Sequence, residues 1–213
     1  MTKSLRLSCI SDTHGSHNEI GLNEFNSSDI IIHAGDMTKM GSFRELNDIN
    51  QWFGVLLEPV ICCAGNHDKW CEQAGYQLAK QLFSNATYLD NDLAEIYSIK
   101  IYGAPYSKKY GYWSYMLEEE DLNKEWAKIP ENIDILIVHG PPFGILDKNR
   151  NGIECGSKTL RKQIFERIRP KLVVMGHIHE NSGILKEGNI TFVNAAQLDE
   201  WYNLTNKPIH ISL

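Results

Sequence analysis

The sequence predicts a mixed α/β (α+β) fold in which two mixed β-sheets pack face to face with helices outside, as a four-layer αββα sandwich. In the first third of the chain, short apolar runs alternate with segments of helical periodicity, which is typical of parallel βα units. Over Ala86–Gly103, three short strand-like runs leave no room for helices between them, and late strands of this kind favour antiparallel pairing. The 213 residues contain no repeats and no linker-like breaks, so we predict one domain over residues 1–213.

The first third of the chain contains three apolar runs that indicate buried strands and two segments that indicate helices. The predicted strands are Leu5–Ser11, Asp29–Ala34 and Pro59–Ala64. Apolar residues recur at helical spacing over Phe43–Leu57, and Ser42 is placed to act as the N-cap of that helix. A second helix is predicted over Lys69–Phe83, with Asp68 as its cap.

Short strands dominate the prediction for the remainder of the chain. They are Ala86–Leu89, Ala94–Ile99, Lys100–Gly103, Asp134–Val138 and Leu172–Met175. Helices are predicted over Glu118–Lys128 and Ser157–Arg169. The segment Gly140–Gly156 is rich in Gly and Pro and longer than a simple connection needs, which indicates a functional loop. The tail, Gly183–Leu213, predicts three strands in a meander.

Charge and hydropathy exclude several classes of partner. The formal net charge is −6, whereas surfaces that bind nucleic acid are usually basic, so no long nucleic acid is expected. No apolar segment approaches the ~20 residues of a membrane span. The stretch Met1–Leu7 lacks the pattern of a signal peptide, so we expect no membrane association. The sequence leaves the oligomeric state open.

The five cysteines show neither paired secretory spacing nor a C-x-x-C zinc pattern. Cys9, Cys62 and Cys63 lie in strand-like runs and are expected to be small buried hydrophobes. Reduced thiols of this kind are typical of a cytoplasmic protein, which is the location we predict.

Five short motifs rich in Asp, His and Asn carry the functional information. In chain order they are Asp12-Thr13-His14, Gly35-Asp36, Gly65-Asn66-His67-Asp68, His139 and Gly176-His177-Ile178-His179. Four of them follow apolar runs, which places them at the carboxyl ends of strands, where open α/β sheets bind ligands. Three carboxylates, five imidazoles and an amide exceed what one metal ion can use, so we predict two ions with an oxygen nucleophile between them. This chemistry is typical of an enzyme that acts on a phosphate ester.

Spacing gives a reason for the side chains to converge. Asp12 and His14 are two residues apart, and so are His177 and His179. On an extended backbone, residues two apart point to the same side. We therefore expect each pair to face one site.

The five motifs in this order resemble those of the calcineurin-like metallophosphoesterase superfamily, over the range Asp12–His179. The segments His139-Gly-Pro-Pro-Phe-Gly and Gly176-His-Ile-His-Glu are similar to one branch, the metallophosphoesterase-domain-containing proteins. The resemblance implies two metal sites that share Asp36. The first is Asp12, His14, Asp36 and His179, and the second is Asp36, Asn66, His139 and His177. Such donors without sulfur suit Mn, Fe, Zn, Co or Ni, and Mn is favoured for activity.

The resemblance also implies the reaction. A hydroxide that bridges the two metals attacks phosphorus in line, without a covalent enzyme intermediate. His67 is not a ligand but faces the substrate beside Asn66 and donates a proton to the leaving oxygen. Asp68 orients His67 and keeps it protonated. The partner implied is a small phosphorylated substrate, and the branch favours phosphodiesters, cyclic nucleotides among them.

Two other functions stay open at this stage: a phosphomonoesterase that acts on a small substrate, and a nucleotide-binding member with little activity. A protein phosphatase is disfavoured, because such relatives carry an Arg shortly after the Gly-Asp pair. Here the pair Gly35-Asp36 is followed by Met37-Thr38-Lys39-Met40-Gly41.

Several further residues carry weaker expectations. Arg150, beside Lys148 and Asn149 in the long loop, either contacts a phosphate or belongs to a solvated loop. The aromatic residues Tyr106, Tyr110, Tyr112 and Trp113 either stack on a base or pack ordinarily. His33 is expected in the core, supporting a ligand. His17 and His210 are expected at the surface.

Overall fold

The computed structural model describes residues 4–213, so the first three residues of the stretch Met1–Leu7 lie outside the described residues. The strands, numbered in chain order, are β1 Arg6–Ile10, β2 Ile30–His33, β3 Val60–Cys62, β4 Thr87–Tyr88, β5 Asp92–Ile96, β6 Ile99–Ala104, β7 Ser107–Lys108, β8 Met116–Leu117, β9 Ile135–Val138, β10 Leu172–Met175, β11 Gly183–Glu187, β12 Ile190–Asn194 and β13 Ile209–Ser212. The helices are α1 Phe43–Phe53, α2 Lys69–Ala74, α3 Tyr76–Leu82, α4 Glu119–Trp126 and α5 Lys158–Gln163.

Within the described residues, most strands belong to two mixed sheets. The first has five strands in the order β13-β1-β2-β3-β4, and only β13 runs antiparallel to its neighbour. The second has six strands in the order β11-β12-β10-β9-β6-β5, with four parallel central strands between antiparallel edges. The expectation that the later strands pair mainly antiparallel is therefore wrong for the centre of this sheet.

Three apolar layers hold the molecule together. Alternate residues of β2 illustrate the arrangement, since Ile31 packs with α1 whereas Ile32 packs against the second sheet. On the other side, Val174 of β10 faces the first sheet, and Val173 packs in the layer that holds Trp126 of α4. The order is thus helix, sheet, sheet, helix, which confirms the predicted αββα sandwich.

Helix α1 begins where the sequence predicts it and ends early. The Ser42 side chain accepts a hydrogen bond from the backbone N–H of Glu45, and the Glu45 carboxylate accepts one from the N–H of Ser42, which together form a capping box. The helix ends at Phe53, four residues before the predicted end at Leu57, because no further buried apolar face follows: Leu57 is exposed.

The predicted helix Lys69–Phe83 is two helices, α2 and α3. They meet at Gly75, whose φ of 80° breaks the helical backbone. The predicted cap is also wrong, since the Asp68 side chain makes no capping hydrogen bond to α2. Its carboxylate instead accepts hydrogen bonds from Thr38 and from the backbone N–H of Gly65.

The other predicted boundaries shift for local reasons. The turn at Tyr97 and Ser98, both with positive φ, divides β5 from β6 two residues before the predicted division. After α5, the predicted helix Ser157–Arg169 continues as a π-helical turn over Ile164–Ile168. The meander predicted for the tail is wrong in part, because β13 leaves the second sheet and pairs with β1 of the first.

The burial of the cysteines agrees with the prediction from the sequence. Cys9, Cys62 and Cys63 are completely buried, as predicted, and all five cysteines are free thiols. Across residues 4–213, no helix has the length and apolar character needed to cross a bilayer.

Replacement of the α1 cap provides a test of the fold. We expect Ser42→Ala to lower the free energy of unfolding by about 1 kcal/mol, because an N-terminal N–H of the helix loses its acceptor. Urea denaturation measures the change. Ser4→Ala, which removes an exposed hydroxyl that donates to a backbone carbonyl, serves as the control. A loss no larger than that of the control contradicts the assigned cap.

Candidate dimetal site

All five motifs lie at the carboxyl ends of parallel-type strands, and they come from both sheets. Strands β1, β2 and β3 of the first sheet lead to Asp12, Asp36 and Asn66. Strands β9 and β10 of the second sheet lead to His139 and His177. The two sheets meet here directly, because the Nδ1 of His139 donates to the carbonyl of Ala34 across 3.0 Å.

One group of donors gathers at the end of β1. Single ligand atoms of Asp12, His14 and His179 all lie within 4.8 Å of one another. The Nε2 of His179 is 3.3 Å from Oδ1 of Asp12 and 3.4 Å from the Nε2 of His14. The structure therefore brings together these three residues of the first predicted metal site.

A second group gathers around the junction of the two sheets. Ligand atoms of Asp36, His139 and His177 also lie within 4.8 Å of one another. The Nε2 of His139 is 3.0 Å from Oδ1 of Asn66 and 3.3 Å from Oδ2 of Asp36. These are the four residues of the second predicted site.

Asp36 lies between the two groups. Its Oδ2 is 3.3 Å from Nε2 of His139 and 3.7 Å from Nε2 of His14. Its Oδ1 accepts a hydrogen bond from the backbone N–H of His67 at 2.7 Å. A carboxylate in this position is suited to serve two ions at once.

Backbone carbonyls orient the histidine rings. The Nδ1 atoms of His14, His139 and His179 face the carbonyl oxygens of Thr38, Ala34 and Asp199 at 3.0, 3.0 and 2.9 Å. Because a carbonyl only accepts, each Nδ1 carries a proton and each Nε2 points inward as the ligand atom. This is the arrangement that metal-binding histidines generally show.

The backbone at the site is left-handed at four of the seven predicted ligands. Asp12, His14, Asp36 and His177 have φ values of 50°, 41°, 54° and 71°. Such values are uncommon for residues other than glycine and concentrate at functional sites. The side chains do converge, but the explanation from an extended backbone is wrong: turns direct Asp12 and His14, and His179 begins a 3₁₀ turn.

Two glycines of the motifs are required by close approach. A Cβ on Gly176 would overlap the Asp12 carboxylate, and a Cβ on Gly65 would overlap that of Asp36. The backbone N–H of His177 donates to Asp12 at 3.0 Å as a result of this proximity. Glycine thus allows the β10 loop and the β3 loop to lie directly against the two carboxylates.

Burial and charge set the protonation of these groups. Burial by itself raises the pKa of Asp12, but the hydrogen bond from His179 and its charge hold that pKa below the ordinary range. Burial lowers the pKa of His179, but the hydrogen bond to the Asp12 carboxylate and its negative charge outweigh burial and raise that pKa to about 9. In the same way Asp36 raises the pKa of His139 to about 9 against its burial. Burial lowers the pKa of His14 to about 4 and that of His177 to about 3.

The donor arrangement fits divalent cations. With neutral rings, the Nε2 atoms of His14 and His179 would face each other with lone pairs at 3.4 Å. A proton on His179 relieves this contact, and a cation between the two nitrogens does the same. The buried Nδ2 of Asn66 has no hydrogen-bond partner, whereas its Oδ1 lies 3.0 Å from Nε2 of His139 and is the atom of this side chain that faces the other donors. The set of carboxylate, amide and imidazole, without sulfur, suits Mn, Fe, Zn, Co or Ni.

His67 lies at the edge of the cluster, and Asp68 does not orient it as predicted. The Nδ1 of His67 donates to the carbonyl of Lys39 at 2.8 Å. The Asp68 carboxylate instead accepts hydrogen bonds from Thr38 and from the N–H of Gly65. Asp68 therefore holds the segment before Lys39, and its influence on His67 is indirect. Burial, aided by Asp36, raises the pKa of Asp68 to about 7.

The remaining histidines divide as the sequence suggests, with one exception. His33 is buried, and its Nε2 is 3.0 Å from Oγ1 of Thr13, the residue between the predicted ligands Asp12 and His14 in the sequence. His210 is exposed, as expected. His17, predicted at the surface, is only 1% exposed: its ring packs on Trp52, and its Nε2 pairs with Asp48 at 3.1 Å.

The loop residues lie around the mouth of the site. Trp113 stacks on His67 with ring centroids 4.3 Å apart, and Tyr110 lies 5.6 Å from the ring of His177. Tyr106 packs in the core, so the predicted aromatic group does not act as a unit. The guanidinium of Arg150 lies over the ring of Trp201, 5.8 Å from its centroid.

Sequence reasoning missed contacts made by residues far along the chain. The Tyr202 ring lies 4.9 Å from that of His14 and 5.3 Å from that of His179. The carbonyls of Thr38 and Asp199 orient those same two histidines. No sequence signal marks these positions, because a backbone carbonyl is common to every residue.

Substitution of Asp36 tests whether its carboxylate is shared by the two ions. We expect Asp36→Asn to lose both ions, because a neutral amide lacks the shared charge. Metal content after dialysis, measured by mass spectrometry, gives the result. Asp12→Asn is the matched control, and it should retain about one ion per chain. Loss of a single ion from Asp36→Asn contradicts the shared carboxylate.

Metal binding should release protons in a pH-dependent way. The metal-free protein holds protons on His139 and His179 below the pKa of about 9 of each, and ligation displaces them. We expect the apparent affinity for Mn to rise from about pH 7 towards about pH 9 and then level off. Calorimetry in buffers of different ionisation enthalpy counts the released protons. Binding without release at neutral pH would contradict these protonation states.

Comparison with known proteins agrees with the fold and the motifs. The family model of the calcineurin-like phosphoesterases matches residues 5–181. Metallophosphoesterase domain-containing protein 1 of Homo sapiens is 33% identical, over 98% of this chain and 71% of that protein. A probable glycerophosphodiester phosphodiesterase of Arcobacter nitrofigilis is 24% identical, over 74% of this chain and 59% of that protein. One crystal structure matches with a TM-score of 0.72 over 90% of both chains at 13% identity, which shows the same fold. This chain belongs to the calcineurin-like phosphoesterase family.

Proposed function

We propose that the protein hydrolyses a small organic phosphodiester, a class that includes cyclic nucleotides, by direct in-line attack of hydroxide on phosphorus. The observation that carries this proposal is the convergence of two donor groups on the shared Asp36 carboxylate. Asp12, His14, Asp36 and His179 would hold one divalent ion, and Asp36, Asn66, His139 and His177 the other. Bound ions supply hydroxide near neutral pH and polarise the phosphoryl oxygens.

His67 has the position of a proton donor. Its Nδ1–H is fixed on the carbonyl of Lys39, so its Nε2 is the atom left to face a substrate. The ring lies between His14 and Trp113, with centroid distances of 4.6 and 4.3 Å. A proton on Nε2 would pass to the oxygen of the leaving alcohol as its bond to phosphorus breaks.

One comparison supports a diester, and one sequence feature disfavours a protein phosphatase. A relative from Arcobacter nitrofigilis carries the name of a phosphodiesterase, which supports the same bond type here. A protein phosphatase remains disfavoured, because the segment after Asp36 offers no arginine to hold a phosphoryl group. The aromatic rings of Tyr110, Trp113 and Tyr202 around the site favour one second candidate, a nucleotide-binding protein with little turnover.

The remaining proposals concern location and partners. Five free thiols support a place in the cytoplasm. The net charge of −6 supports a small substrate rather than long nucleic acid, since bound cations reverse the sign only inside the site.

Substitution of His67 tests the proposed reaction. With Mn-loaded protein, we expect bis-p-nitrophenyl phosphate to be hydrolysed faster than p-nitrophenyl phosphate. His67→Asn should lower kcat for the diester by about 10²–10⁴-fold while both ions stay bound, because it removes the donated proton.

The controls separate the candidate functions. Loss of metal from His67→Asn would show that His67 is a ligand. Preference for the monoester would move the assignment to a phosphomonoesterase, and absence of turnover with both ions bound would favour the nucleotide-binding protein.

A further inference from the structure

Two separate cavities open beside the candidate metal site. The first, of about 450 Å³, reaches His177 and is bordered by Lys108, Tyr110, Ile153 and Cys155. We call it the His177 cavity. The second, of about 390 Å³, reaches Asn66 and His67 and is bordered by Lys69, Gln73 and Trp113, and we call it the His67 cavity. Each is large enough for an organic group of moderate size.

A single loop between β7 and β8 divides the two cavities. Residues 108–110 line the His177 cavity, whereas residues 112–114 line the His67 cavity. Tyr110 contacts His177 on one side of the loop, and Trp113 stacks on His67 on the other. The cavities thus end on His177 and His67, at two different edges of the same cluster.

We propose that the substrate is an acyclic phosphodiester whose two organic groups occupy the two cavities, with the leaving alcohol beside His67 and the retained group beside His177. The inference rests on the proposed function and specifies its substrate class. A phosphodiester carries two substituents on one phosphorus, and a site with a cavity at each edge matches that shape.

The assignment of groups follows from the position of the proton donor. Hydrolysis forms a bond between phosphorus and the oxygen of water and breaks the bond to the leaving oxygen. That oxygen takes a proton from Nε2 of His67, so the leaving alcohol lies in the His67 cavity. The product that stays on phosphorus is a monoester, and its organic group occupies the His177 cavity. The proton given up by water restores the donor.

The borders of the cavities differ in chemistry. Apolar surface dominates the border of the His177 cavity, where Tyr110, Ile153 and Ile178 lie, although the charged side chains of Lys108, Glu154 and Glu180 also border it. The border of the His67 cavity is more evenly mixed, with Lys69, Glu72 and Gln73 beside Met40 and Trp113. The retained group is therefore expected to be the more apolar of the two. A cyclic diester fits less well, because both of its ester oxygens belong to one ring, which fills one cavity.

Two substrates with the same leaving group test this inference. Methyl p-nitrophenyl phosphate and phenyl p-nitrophenyl phosphate lose the same alcohol and differ only in the retained group. We expect the phenyl ester to have the lower KM in the wild-type protein loaded with Mn. Ile153→Trp, which fills the His177 cavity, should raise KM for the phenyl ester by about tenfold or more and leave that of the methyl ester within about twofold. Gln73→Trp should raise KM for both esters.

Ile184→Trp is the matched control, since Ile184 is 54% exposed, Ile153 is 58% exposed, and Ile184 borders neither cavity. Equal effects of Ile153→Trp on the two esters, or no effect, would overturn the inference. The inference would also be overturned if the protein hydrolysed 3′,5′-cyclic AMP faster than the phenyl ester and if Ile153→Trp left the turnover of cyclic AMP unchanged. A different result would contradict the proposed function itself: with both ions bound, the protein would hydrolyse neither of the two esters nor bis-p-nitrophenyl phosphate.

Discussion

Two buried carboxylates at the junction of the sheets set the conditions that the rest of the structure satisfies. Asp12 and Asp36 are almost completely removed from water, and a buried charge is costly unless it is paired. Histidines on four different loops turn ring nitrogens towards these carboxylates or towards each other. In the metal-free protein, protons on His139 and His179 balance the charge. Divalent cations bound by the neutral rings would take the place of these protons, which is the physical reason for a metal site here.

The fold maintains this arrangement by fixing the distance between two sheets. The apolar layer between them, to which Ile32 and Val174 both belong, brings the carboxyl ends of β2 and β10 to one edge. Each of the two proposed metal sites takes donors from both sheets: in the second site, Asp36 comes from the first sheet, and His139 and His177 come from the second. The site therefore depends on the packing of the sandwich, and a change in that layer alters ligand geometry without touching a ligand.

The position of each histidine in the cluster separates the proposed metal ligands from the proposed proton donor. His67 has its Nδ1 fixed on a backbone carbonyl, as His14, His139 and His179 do, but it lies at the edge of the cluster and stacks on Trp113. The loop between β7 and β8 reaches both edges of the cluster, where its Tyr110 contacts His177 and its Trp113 contacts His67. The same loop thus separates the space around the proposed proton donor from the space around His177, and specificity can change there without loss of the metal ligands.

The αββα fold, the positions of most strands within a few residues and the candidate ligands could be predicted from the sequence, because hydrophobic periodicity and motifs at strand ends are local properties. The capped start of α1 at Ser42 belongs to the same class. Tertiary packing accounts for the break at Gly75, the pairing of β13 with the first sheet, the burial of His17, and the hydrogen bond between Asp68 and Thr38. It also decided the left-handed backbone of Asp12 and Asp36 and the glycines pressed against them. These features depend on contacts between segments far apart in the chain, and such contacts stabilise conformations that the local sequence would not adopt alone.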